Sequence, residues 1–111
     1  MNPPTSPFVL STRLAGYIGG ILSAYDIDML DQGQRREFAL MRQLMADARL
    51  DARDYELSET RAEQLENAIT TKNRLEKLRL LILRSSERDV FSAIDVAQIS
   101  AQLDEIVDQL R

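Results

Sequence analysis

Apolar residues recur every three or four positions in four stretches of this chain, the spacing of one face of a helix. Leu10, Leu14, Tyr17, Ile18, Ile21, Leu22 and Tyr25 mark the first stretch, over residues 8–25. Ser6 followed by Pro7 supplies an N-cap and a first helical residue for it. Ser11, Ala15, Gly19 and Ser23 form a second stripe of small residues, an arrangement that lets another backbone approach closely. The second stretch runs from near Asp28 or Asp31 to about Leu50. It is carried by Phe38, Met41, Leu44, Met45 and Ala48, with Leu40 widening the stripe. Asp31 and Gln34 stand at capping-box spacing, and Gly33 weakens the first turn. Met29, Met41 and Met45 are expected in the core, although methionines also suit an adaptable groove. Residues 51–57 are charge-rich around Tyr55 and fit either a loop or a helical extension.

The third stretch starts with Ser58 as its expected cap. Glu59 and Glu63 favour the positive end of the helix dipole, and Leu57 and Ala62 stand at staple spacing. No Gly or Pro interrupts it before Arg84 or Arg88, which gives a helix roughly 40 Å long. Its main face is expected at Leu65, Ala68, Ile69, Leu75, Leu78 and Ile82. Toward its end Leu78, Leu80, Leu81, Ile82 and Leu83 place apolar side chains almost all round the helix, a pattern of burial on several sides. A chain of 111 residues has few helices with which to cover that circumference. Leu78, Arg79, Leu80, Leu81 and Leu83 are therefore the expected contact residues for a second copy or another protein.

Ser85 to Asp89 is the next break, with Val90 and Phe91 as apolar plugs in the connection. Ser92 or Asp95 can cap the last helix, where Val96, Ile99, Leu103, Ile106 and Leu110 follow a 3-4-3-4 spacing. The expected fold is all-α: a small bundle of about four helices with a long third helix and a C-terminal antiparallel helical hairpin. Residues 1–111 form one domain, with an extended proline-rich leader over 1–7, a helical pair over 8–57 and the hairpin over 58–111. The pattern leaves open whether the first helix joins the core or stands apart from a three-helix unit.

Composition narrows the chemistry. Aromatics are 5% of the residues and tryptophan is absent, so the core must come from Leu, Ile, Val, Met and Ala. Neither cysteine nor histidine occurs, which removes disulfides, Cys/His metal sites, thiol nucleophiles and imidazole bases. The segment from Asp26 to Glu37 faintly evokes a calcium loop, but Leu30 and Asp31 fall where a ligand and the turn glycine belong. No metal and no cofactor is expected. The net charge of −4 is uneven, with a basic third helix and an acidic fourth. Lys72, Arg74, Lys77, Arg79, Arg84 and Arg88 read as a solvated or salt-bridged face, and nucleic acid is not an expected partner. The uncharged run from Leu14 to Tyr25 is too short to span a bilayer, and no basic region precedes it as in a signal peptide. A cytoplasmic location is expected.

Ser100 and Asp104 lie four residues apart, on one face of the last helix. Leu75-Glu76-Lys77-Leu78-Arg79, Ile82, a break and then Ile99-Ser100-Ala101-Gln102-Leu103-Asp104-Glu105-Ile106-Val107 resemble the small sporulation-associated aspartyl-phosphate phosphatases. These are helical hairpins that dephosphorylate response regulators, and their hallmark is a Ser-Gln-x-Leu-Asp step preceded by a Leu-Arg. The resemblance covers about residues 65–110 and picks out Arg79, Ser100, Leu103 and Asp104. It implies that Asp104 is presented to the regulator's acyl phosphate with Ser100 beside it, and that any metal belongs to the regulator. Positioning a water against an already reactive acyl phosphate is then the whole task. Two functions follow as expectations: a noncatalytic helical adaptor, assembly or regulatory factor that self-associates, or such a phosphatase.

Overall fold

The computed structural model describes residues 5–110; most of the expected leader, residues 1–4, and Arg111 lie outside them. Four α-helices follow one another: α1 (Pro7–Ser23), α2 (Gln32–Glu56), α3 (Arg61–Ser86) and α4 (Ala93–Gln109). The starts obey local rules. Ser6 accepts a hydrogen bond from the backbone N–H of Val9 and Pro7 is the first residue of α1, so the helix begins inside the expected leader. Asp31 and Gln34 form a reciprocal capping box on α2, and Ser92 and Asp95 form one on α4. Asp26 caps a short 3₁₀ turn, Ile27–Met29, that joins α1 to α2. Of the carboxylates that faintly resemble a calcium loop, Asp26 and Asp31 are thus caps.

Polar ties fix the direction of each helix. The Phe8 N–H at the start of α1 donates to Glu56 at the end of α2, 2.9 Å away. Glu37 near the start of α2 accepts from the Ser85 hydroxyl and pairs with Arg88, both near the end of α3. Tyr17 of α1 donates to Asp95 of α4 at 3.0 Å. Early residues meet late ones in every case, so neighbouring helices run antiparallel. α2 packs on α1 and α3, and α4 closes the ring against both α1 and α3. Helix one therefore belongs to the bundle, and one core joins all four elements.

That core is mainly aliphatic, as the composition requires, with Phe38, Tyr55 and Phe91 as its aromatic members. Leu14, Ile18 and Leu22 of α1 meet Met41, Leu75, Leu78, Ile82, Ile99, Leu103 and Ile106, all essentially inaccessible. Each such side chain contributes roughly 1.5–3 kcal/mol relative to exposure. Val90 and Phe91 plug the end of the bundle as expected. The turn before them is a Schellman closure: Asp89 has φ of 60° and donates to the Ser86 carbonyl, while Val90 donates to that of Ser85.

One open reading is resolved and two local expectations are corrected. The charge-rich stretch after Leu50 is helical because Ala52 and Tyr55 continue the buried face of α2. α3 is capped by Thr60, whose hydroxyl accepts from the Glu63 N–H, and not by Ser58. Ser58 instead donates to the Asp54 carbonyl and accepts from Asn67, tying the α2–α3 turn together. Met29 stands exposed in the 3₁₀ turn, whereas Met41 and Met45 are core.

Candidate interaction surface

The core face of α3 consists of Ala68, Thr71, Leu75, Leu78, Ile82 and Ser85. In its first half this face is filled by the small Ala68 and Thr71. Thr71 satisfies its hydroxyl by donating to the Asn67 carbonyl at 2.7 Å. Arg74 is drawn to Asp47 and Asp51 on α2, which sets the roll of the helix. Leu65 and Ile69 lie roughly 140–180° round the helix from Leu78 and face outward, 46% and 59% exposed, which corrects their expected place on the main face.

The apolar band near the end of α3 divides in two. Leu78 is wholly enclosed by the bundle and Leu81 is buried at its edge. Leu80 and Leu83 remain uncovered, at 61% and 43% exposure. The bundle's own helices thus enclose Leu78 and Leu81, which leaves the outer pair for any partner. Beside Leu80 runs an open groove of about 380 Å³ along the α2–α3 seam. Leu44 and Leu81 contribute to its apolar lining, the exposed Leu40 of α2 faces Leu80 within it, and Lys77 and Arg84 add positive charge.

The polar residues singled out by the sequence also meet. Arg79, half-buried between α3 and α4, donates to Asp104 at 2.7 Å and lies 3.5 Å from Glu76. Asp104 is exposed, Ser100 is half-buried and Leu103 is core. A carboxylate on the outside of α4 with a guanidinium against it can accept from a water or from a donor on another molecule. The basic face of α3 is largely neutralised: Arg74 and Arg79 are paired across helices, and Arg84 and Arg88 approach Glu37.

Two groups on the α1–α4 side have shifted proton affinities. Desolvation, then the hydrogen bond to Asp95, raises the Tyr17 hydroxyl above the usual tyrosine value. Asp95 is held below the usual carboxylate range, first by the Tyr17 hydrogen bond and then by that from Ser92. No cluster of three or more carboxylates among the described residues has the geometry to hold a metal ion. No helix among them is long and apolar enough to cross a membrane.

Fold and surface together define a class: an antiparallel four-helix bundle with a closed internal core and apolar residues left on the outside of one long helix. No protein-family model matches the chain, and no curated protein or solved structure matches it significantly.

Proposed function

We propose that this chain is a noncatalytic interaction protein, an adaptor, assembly or regulatory factor, that acts through helix–helix contacts and associates with itself. One observation carries the reading: Leu80 and Leu83 on α3, and Leu40 on α2 in the groove beside Leu80, stay uncovered although the core is formed without them. Scattered exposed leucines are ordinary, but two within one turn of a rigid helix, with a third across the groove from one of them, offer a partner helix a place to pack. The test pairs the wild type with Leu80→Glu/Leu83→Glu. Surface changes of this kind should alter folding by no more than about 0.5 kcal/mol. The reading predicts that the variant keeps its helicity and loses association seen by light scattering. Equal association, or equal absence of self- and partner-binding, in the two proteins would remove it.

A second reading has its own observation. The resemblance to aspartyl-phosphate phosphatases singles out Arg79, Ser100 and Asp104, and Arg79 and Asp104 are in contact on an accessible helix face. Under this reading Asp104 orients a water toward the regulator's acyl phosphate while Arg79 fixes the carboxylate. Asp104→Ala should then abolish turnover of a phosphorylated receiver domain and leave the fold intact. Unchanged turnover in that variant, or none in the wild type, would end this reading.

A further inference from the structure

The outward residues of α3 have an order of their own. Leu65, Ile69, Lys72, Glu76, Leu80 and Leu83 follow steps of four, three, four, four and three. At 100° per residue they lie within an arc of about 80° on the outer side of α3, with Lys72 half-buried at its edge. Their sequence is nearly palindromic in character: two apolar residues, a cation, an anion, two apolar residues. The centre falls at position 74, midway between Leu65 and Leu83 and midway between Lys72 and Glu76.

We infer that α3 packs against α3 of a second copy, antiparallel, about a two-fold axis level with position 74. The inference rests on the reading of the chain as a self-associating protein and specifies the surface and register. In this register Leu65 of each copy meets Leu83 of the other, Ile69 meets Leu80, and Lys72 meets Glu76. An isologous interface must be self-complementary, and these pairings are apolar with apolar and positive with negative on both sides of the axis. The four apolar residues are all at least two-fifths exposed in the single bundle, so covering them is a gain. Lys72 has no ion pair among the described residues, and Glu76 gives one carboxylate oxygen to Arg79 at 3.5 Å while staying largely in solvent. The spacing of the six is close to that of a coiled-coil seam, here about 27 Å long between Leu65 and Leu83. A parallel arrangement loses this logic, since Lys72 would then face Lys72 and Glu76 would face Glu76.

Charge reversal and cross-linking test the register separately from association. Lys72→Glu sets a second carboxylate against Glu76 twice in the dimer and should weaken it by about tenfold, as should Glu76→Lys. The double variant K72E/E76K restores both pairs and should restore dimerisation to near the wild-type level. Because the chain has no cysteine, single cysteines report proximity without background. An oxidised mixture of L65C and L83C proteins should give a disulfide-linked heterodimer. Either protein alone should cross-link poorly, because like positions lie about 27 Å apart. A wild type that stays monomeric overturns this inference and the self-association on which it rests. A wild-type dimer in which K72E/E76K fails to rescue, or in which L65C links to itself, overturns the antiparallel register alone.

Discussion

Gly16 and Gly20 occupy helical positions on the exposed side of α1, where an added methyl group would touch nothing within 4 Å. Gly16→Ala and Gly20→Ala should each raise stability by up to about 1 kcal/mol, seen as a higher thermal midpoint. The small-residue stripe is legible in the sequence, but its meaning is not: Ser11 is buried, Ser23 is exposed, and no atom crowds Gly19. Residue size says what is permitted, and only packing decides which permission is used. Ser11 has a buried hydroxyl without a hydrogen-bond partner among the described residues. Ser11→Ala should therefore be neutral or stabilising by about 1 kcal/mol in chemical denaturation. The Tyr17–Asp95 pair gives a pH signature of known sign. Asp95 binds its proton less readily folded than unfolded, so its contribution is present above the ordinary carboxylate range and is lost as pH falls through the lowered value. Tyr17 holds its proton more tightly folded, so its contribution is complete below about pH 10 and is lost as pH rises beyond. Tyr17→Phe should flatten both flanks of the stability–pH profile.

At the level of elements, the cap at Ser6 is readable, and those of α2 and α4 narrow to Asp28 or Asp31 and Ser92 or Asp95, because such side chains satisfy backbone N–H groups a few residues away; the fold selects Asp31 and Ser92. The cap of α3 is not readable, since Ser58 and Thr60 are both suitable and the choice depends on Ser58 being taken by Asp54 and Asn67. The face of α3 is misplaced for a related reason. Taking the apolar residues as one stripe groups Leu65 and Ile69 with Leu75 and Leu78, but at 100° per residue they stand roughly 80–180° apart round the helix, and the inward face runs through the small Ala68 and Thr71 instead. The α4 seam is legible because Val96, Ile99, Leu103, Ile106 and Leu110 fall on one face, while Ile94 at the start of the helix stays exposed. Leu103→Ala should cost roughly 2–5 kcal/mol in urea unfolding, while Asp104→Ala, one residue along, should cost well under that despite losing the Arg79 pair.

For the whole molecule, the all-α fold with a long third helix can be read from four periodic stretches, since period and breaks suffice for that. The closed ring in which α1 also supports α4 cannot, because contacts so distant in sequence leave no local trace. The apolar band on α3 points to more burial than one chain provides, and the bundle accounts for part of it by enclosing Leu78 and Leu81. What remains outside, Leu80 and Leu83 with Leu65 and Ile69 nearer the start of the helix, is the basis for the proposal that the chain works by association. Sedimentation equilibrium of the wild-type chain, over a dilution series from about 1 mM to about 1 µM, tests that assignment most directly. Self-association predicts an apparent mass that rises with concentration from the 12.6 kDa of one chain toward twice that value. A mass that stays at 12.6 kDa throughout the series would contradict it.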